Sequence, residues 1–267
     1  MSILDLPDEI LLCILNKLNN INVLYSLVDV NGRFDRLALD SIYIRDLDFT
    51  ANDKSQKFHQ FLDRLCTSIL PRIHHQINKL TLGQLSIERL LHIVDYPQLY
   101  SLSLVFCQPK IILNFNRYEP NLFALILSLA KCLTDFTFVQ CLRDASTNSL
   151  FTLFSTNCVS STLTKLKIDV NTFDDCLYIL DGRLDCLSTL IIDIEKIRPL
   201  LSIIDTTKKI SKLKYLSLTS ISATSYYHEF VPLFRRMSNL EELTLFLFLK
   251  RINSTYIDGI HLSDEIL

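Results

Sequence analysis

One spacing of apolar residues, apolar-x-x-apolar-x-apolar, recurs along the chain. It occurs at Ile77/Leu80/Leu82, Leu99/Leu102/Leu104, Leu133/Phe136/Phe138, Leu163/Leu166/Ile168, Leu187/Leu190/Ile192, Leu213/Leu216/Leu218 and Leu240/Leu243/Leu245. Ile44/Leu47/Phe49 fits as an eighth copy. The last two positions of each triplet alternate, the period of a strand with one buried face, and the first adds an anchor ahead of the strand. From Ile77 onward the starting residues lie 22, 34, 30, 24, 26 and 27 positions apart. Units of that length cannot bury their apolar side alone, so the period predicts a stack. The side chains between the anchors, Thr81, Ser103, Thr137, Lys167, Ile191, Ser217 and Thr244, are expected to face outward as an ordinary strand surface.

The intervening segments carry helical patterns. In residues 86–94, Ile87, Leu90, Leu91 and Val94 share one face. Residues 59–70 read as an amphipathic helix that Pro71 ends. Asn121 reads as the cap of a helix preceded by Pro120, and 226–237 as a helix or two short turns around Pro232. Strand and helix alternating in short units predict an α/β solenoid, with parallel strands on a concave face and helices outside. A doubly wound nucleotide-binding fold would need a glycine-rich first turn, and the 4 glycines form no such cluster.

Residues 1–43 lack the triplet and read as three helices. Pro7 suits a first helical position, and Asp8 and Glu9 suit the positive helix end. Ile10, Leu11, Leu12, Cys13, Ile14, Leu15 and Leu18 surround most of the first helix, which therefore needs cover on more than one side. The second helix, about 21–29, shows Ile21, Leu24, Leu27 and Val28; the third, about 33–42, shows Phe34, Leu37, Ala38 and Ile42. The bland reading is a helical cap over the open end of the stack.

At 267 residues and 49% hydrophobic, the chain can bury a large core. A net charge of −2 argues against nucleic-acid or membrane-surface binding. No apolar run approaches the ~18–20 residues of a membrane span, and Asp5, Asp8 and Glu9 interrupt any secretory signal. A cytoplasmic or nuclear location is expected.

None of the 8 cysteines has C-x-x-C spacing. Cys107 and Cys141 lie three residues past the anchors Leu104 and Phe138, where Asn171 follows Ile168. A small polar or thiol group at such a turn can satisfy free backbone groups, so these residues read as structural. With them, "LYSLSLVFC" (99–107), "LTDFTFVQC" (133–141) and "LTKLKIDVN" (163–171) resemble the full strand signature of leucine-rich repeats. Leu85, Glu195, Ile221 and Phe248 depart from it at the ninth place. The resemblance covers residues 44–267. "HLSDEIL" (261–267) opens like another helix with no strand after it, an abbreviated cap or a sign that the array continues in a longer parent.

The N-terminus resembles an F-box. "LPDEILLCILNKL" (6–18) matches the family's opening at Leu6, Pro7, Glu9, Ile10, Ile14, Leu15 and Leu18. "VNGRFDRLA" (30–38) resembles its closing segment, with Phe34 where tryptophan is commonest. An F-box (1–43) followed by leucine-rich repeats (44–267) is the order of one class of F-box proteins. The resemblance implies a non-catalytic substrate receptor of a Skp-cullin-F-box ubiquitin ligase, acting by proximity. Its partners would be a Skp-type adaptor, through it a cullin-RING scaffold, and a protein substrate of unknown identity, with no cofactor. The adaptor residues it implies are Leu6, Pro7, Ile10, Leu11, Ile14, Leu15, Leu18 and Val30. Candidates for substrate contact are Tyr100, Phe106, Tyr215 and Phe246, with Lys165 and Lys167 in a weak basic strip. The alternative is a leucine-rich repeat scaffold with no ubiquitin-ligase role.

Catalytic constellations are thin. Asp174-Asp175 suits a helix cap better than an acid–base pair. His74-His75 lacks a third metal ligand. Ser160-Ser161-Thr162 has no glycine elbow around a nucleophile.

Overall fold

A computed structural model describes residues 3–50, 56–106, 125–126, 130–140, 159–197, 209–224 and 230–249. The chain divides into two compact units, Met1–Cys107 with Ser128–Leu133, and Gln108–Leu127 with Thr134–Leu267. The fold is α/β. All eight triplets enter strands, three in the first unit and five in the second, and neighbours within each unit pair in parallel.

The first unit opens with four helices, α1 (Asp8–Leu15), α2 (Asn20–Leu27), α3 (Gly32–Ala38) and α4 (Ser41–Ile44). Side chains start three of them. Asn19 Oδ1 accepts from Ile21 N at 2.8 Å, Asn31 Oδ1 from Arg33 N and Phe34 N at 3.0 and 2.9 Å, and Asp40 Oδ1 from Ile42 N at 2.9 Å. The Asp40 cap breaks the predicted third helix into two, so Ile42 lies exposed. Pro7 stands one place before the helix, as the cap of α1.

Strands β1 (Asp46–Phe49), β2 (Lys79–Gly83) and β3 (Ser101–Phe106) follow, separated by α5 (Gln56–Arg64), α6 (Leu70–Ile73) and α7 (Gln84–Leu90). The helix expected to stop at Pro71 instead runs on to Ile73. A π-helical turn at Leu65–Ile69 precedes it, and Pro71 falls where α6 begins, so its missing N–H breaks no helical bond. Nor does packing break at residue 43. Asn20 Nδ2 donates to the Asp46 carbonyl at 3.1 Å, and the Tyr25 and Phe61 rings meet edge-on at 5.1 Å, so the opening helices belong to the same unit as β1–β3.

The second unit holds β4 (Asp135–Gln140), β5 (Lys165–Thr172), β6 (Thr189–Lys196), β7 (Tyr215–Thr224) and β8 (Glu242–Leu249), with α8 (Phe173–Ile179) after β5 and α9 (Phe230–Phe234) after β7. The helix read at 226–237 is only α9 among its described residues, and Pro232 lies within it. Ring centroids of Phe173 and Phe230 lie 4.4 Å apart. The predicted turn residues Cys107 and Cys141, most of the helix at Asn121, and residues 261–267 lie outside the described residues.

Register explains the triplet. Leu47 pairs with Leu80, which pairs with Leu102; in the second unit Phe136, Leu166, Leu190, Leu216 and Leu243 form one row. The strand anchors of β1–β7 are buried, a contribution of roughly 1.5–3 kcal/mol per side chain, whereas Leu243 and Leu245 on β8 are half-buried. The first anchor has a separate task. The residue after it presents a carbonyl that accepts two N–H groups from the next repeat. Thr164 O takes Ser188 N and Thr189 N at 2.8 and 3.0 Å, Ser188 O takes Lys214 N and Tyr215 N at 2.9 and 3.0 Å, and Lys214 O takes Glu241 N and Glu242 N at 2.8 and 3.0 Å. Arg45 O and Asn78 O do the same in the first unit. Burying the first anchor thus fixes the carbonyl that starts the next strand pair.

Candidate functional site

Two surfaces carry the expected contact residues, one in each unit. The first is built on α1, whose apolar residues divide between two sides. Leu11 and Leu15 are buried in the unit's own core. This corrects their expected place at an adaptor groove: spaced one helical turn apart, they form the inward stripe that anchors α1. Ile10, Ile14 and Leu18 face outward, 47%, 43% and 48% exposed, and Val30 is exposed on the turn after α2. Pro7 is exposed and Leu6 half-buried.

Charge fixes this surface. The Arg33 guanidinium donates to the Leu6 carbonyl and, at 2.7 Å, to Asp8 Oδ1, while Arg36 reaches Asp8 Oδ2 at 3.0 Å. Thus α3 holds the Leu6-Pro7 segment where it turns into α1. The Arg33 hydrogen bond, helped by Arg36, keeps the Asp8 carboxyl below its ordinary range against the small cost of burial. A second cluster ties α5 and α6 to the turn between α2 and α3. Arg72 pairs with Asp35 and, at 3.1 Å, with Asp29; Arg64 pairs with Asp29 at 3.4 Å and donates to the Val28 carbonyl. The Arg72 hydrogen bond lowers the Asp35 carboxyl and, in return, raises the guanidinium. Asp29 adopts a φ of 64°, so the turn places its carboxylate between two arginines at a local backbone cost.

The second surface is the outward side of β4–β7. Lys165 and Lys167 are exposed there, Tyr215 is half-buried, and Phe246 on β8 is exposed. Lys165 Nζ lies 3.2 Å from Asp135 Oδ2, so the expected basic strip is partly neutralised. In the first unit Tyr100 is exposed, with Lys79 Nζ 5.9 Å from its ring centroid. Phe106 is a correction: it is buried, because it shares the parity of Leu102 and Leu104 and enters the core with them.

Toward the ends of β4–β7 an open groove of about 590 Å³ is lined by Val139, Lys167, Asp169, Ile191, Asp193 and Ile221, among others. Asp169 Oδ2 accepts the Gln140 N–H at 2.7 Å, locking the end of β4 to β5. Asp169 pairs in register with Asp193, and Asp193 with Thr219. The sequence reading passed over this row, although it lies one position beyond the inward anchors Ile168, Ile192 and Leu218 and so must face outward.

The other polar motifs are structural. Thr172 and Asp175 form a reciprocal capping box on α8: Thr172 N donates to Asp175 Oδ2 at 2.8 Å, and Asp175 N to Thr172 Oγ1 at 3.3 Å. His74 Nδ1 meets the Asp95 carbonyl at 2.8 Å. Ser160 Oγ accepts Leu163 N at 3.1 Å, holding the turn before β5. Burial raises the Cys176 thiol above its usual range, with Asp175 adding to the effect. Among the described residues no His, Cys, Asp and Glu group of metal-site size occurs, and no helix is long and apolar enough to cross a membrane. Comparison with protein-family models and with curated proteins finds no match to this chain.

Proposed function

We propose that this chain is the substrate-recognition subunit of a Skp-cullin-F-box ubiquitin ligase. Residues 1–43 would act as the F-box and the repeated strands as a leucine-rich repeat array. The observation that carries the reading is the outward pair Ile10 and Ile14 on a helix held from behind by Leu11 and Leu15, with Leu18 exposed just past its end. A helix that only capped its own unit would turn its apolar residues inward; α1 leaves two exposed, in the segment that resembles the F-box opening. The parallel register of the triplet strands within each unit supports the repeat reading.

In this role the chain makes and breaks no bond. It holds a protein substrate near a charged conjugating enzyme and raises their effective concentration. Leu6, Pro7, Ile10, Ile14, Leu18 and Val30 would enter the adaptor's groove, while Arg33 and Asp8 set the angle of the Leu6-Pro7 segment. The test is co-purification of a Skp-type adaptor and cullin with the wild-type chain and with the Leu6→Ala/Pro7→Ala double variant. The wild type should retain both, and the variant should lose both without unfolding. Equal retention by the two chains would overturn the reading and leave an interaction scaffold outside the ubiquitin pathway.

A further inference from the structure

We infer that Asp29 is a positioning residue for adaptor docking: Arg64 and Arg72 clamp it in the turn between α2 and α3, and that turn sets where Val30 stands. The inference rests on the receptor reading for its role. It adds two arginines from beyond residues 1–43 to the docking machinery.

Backbone conformation is the first observation. Asp29, at a φ of 64°, is the one non-glycine residue with a positive φ among the described residues. An L residue holds that conformation at a cost, smaller for aspartate than for most. Such a conformation persists where its surroundings over-determine it.

The second observation is that these surroundings do so. Asp29 Oδ1 pairs with Arg72 at 3.1 Å and Oδ2 with Arg64 at 3.4 Å, and the Asp29 N–H donates to Asp35 Oδ1 at 3.1 Å. Arg64 also donates to the carbonyls of Tyr25, at 3.3 Å, and Val28, so it holds the end of α2 as well as the turn. Arg72 pairs in turn with Asp35 on α3. Two arginines meet two carboxylates, so the cluster is balanced in charge and calls for no ligand. The side chains of Asp29, Arg64 and Arg72 are 48%, 36% and 40% exposed, and pairs so open to solvent add little stability. What they fix is geometry.

The third observation is what the turn delivers. Val28, just before Asp29, is fully buried, and Val30, just after it, is 58% exposed. The left-handed residue thus carries the chain from the core to the outside. The Val30 N–H closes the turn by donating to the Leu27 carbonyl at 3.3 Å. Three residues further on, Arg33 holds the Leu6 carbonyl and Asp8. The start of α3 therefore ties together two proposed docking elements, the Leu6-Pro7 segment and Val30.

The experiment titrates the purified full chain with a Skp-type adaptor by calorimetry, as wild type, Asp29→Gly, Val30→Ala and the double variant. Glycine adopts the same φ freely, so Asp29→Gly removes the clamp without straining the turn. Val30→Ala should weaken binding about fivefold, through the loss of two half-exposed methyl groups. Asp29→Gly and Arg72→Met should each weaken it about three- to fivefold. The double variant should bind within about twofold of Val30→Ala, because Asp29 acts through Val30. A merely structural clamp would instead leave the two losses multiplicative. Multiplicative losses, or an Asp29→Gly chain that binds like wild type, would overturn the inference. Asp29→Asn, which tolerates the same φ but lacks the charge, is scored in the same way should the glycine variant not fold. Amide hydrogen exchange of the free chain needs no adaptor. The Asp29 and Val30 N–H groups should exchange at least tenfold faster in Arg72→Met, and unchanged exchange at both would also overturn the inference. A wild-type chain that captures no adaptor refutes the receptor reading and the docking role with it, while exchange still decides whether the clamp holds the turn. Adaptor capture with multiplicative losses refutes the positioning role alone.

Discussion

The division of α1 into two faces makes a quantitative prediction, because neighbouring residues on one helix should fail in different ways. Ile10 and Ile14 are each roughly half exposed. Fully burying such a side chain contributes about 1.5–3 kcal/mol, so each has about 0.7–1.5 kcal/mol left to gain from a docked adaptor. Ile10→Ala/Ile14→Ala removes most of that gain. Together the losses amount to about 1.5–3 kcal/mol, or about ten- to a hundredfold in Kd. Each truncation also removes the part already covered within the unit, about 0.7–1.5 kcal/mol, offset in part because alanine is the best helix former, so the melting temperature should fall less than in the core variants. Leu11→Ala and Leu15→Ala open cavities in the core instead, costing about 2–5 kcal/mol of stability each. Calorimetric titration of each variant with purified Skp-type adaptor, beside a thermal melt, separates the two classes. Outward variants that bind within threefold of wild type would refute the proposed docking face. A Leu11→Ala variant with an unchanged melt would refute the packing itself.

Four further outcomes follow from local geometry. Asp8 and Asp35 have carboxyls lowered by their arginine bonds, so the stability they lend is present above the unfolded value near ~4 and is lost as pH falls through the folded values. Urea unfolding between pH 5 and 2 should show this, with a shallower acid loss in Arg72→Met. Gly83→Ala would bring a Cβ to 2.8 Å from the Phe49 carbonyl oxygen and 3.1 Å from Thr50 Cα; both are backbone, so β1 and β2 must shift at a cost of about 1–3 kcal/mol. Gly32→Ala, with nothing within 4 Å, should be neutral or stabilising in the same melt. Thr172→Ala should cost about 1 kcal/mol through loss of the capping box, read as a lower melting temperature.

The strands were legible because parallel neighbours repeat one another. Each buries the same face at the same register, so a period-2 pair recurring with an anchor three residues earlier has few other solutions. The first anchor's importance was legible; its reason was not. The carbonyl that accepts Ser188 N and Thr189 N belongs to Thr164, whose side chain says nothing about the bond. Helix ends were harder. A π turn at Leu65–Ile69 carries no apolar pattern of its own, so Pro71 read as a stop when it opens a new turn. Asp40-Ser41 was a visible cap signal, but the apolar spacing from Phe34 to Ile42 outweighed it and hid the break between α3 and α4.

Placing contact residues required knowing which side of an element is already occupied, and sequence supplies that unevenly. On a strand, parity supplies it: Phe106 follows Leu102 and Leu104 by twos, and its burial was there to be read despite the attraction of an aromatic side chain as a contact. The same parity sends Asp169, Asp193 and Thr219 outward, so the groove's acidic row was recoverable before any coordinates. A helix encircled by apolar residues offers no parity. Leu11 and Leu15 go inward because α1 rests against its own unit, with Tyr43 Oη donating to the Leu12 carbonyl at 3.3 Å. Nothing in residues 6–18 alone distinguishes that stripe from Ile10 and Ile14, and only the packing of the whole unit breaks the tie. What the encircling pattern did say is that a helix this apolar exceeds what one core can cover. The outward isoleucines are that excess, and they are where an adaptor should be sought.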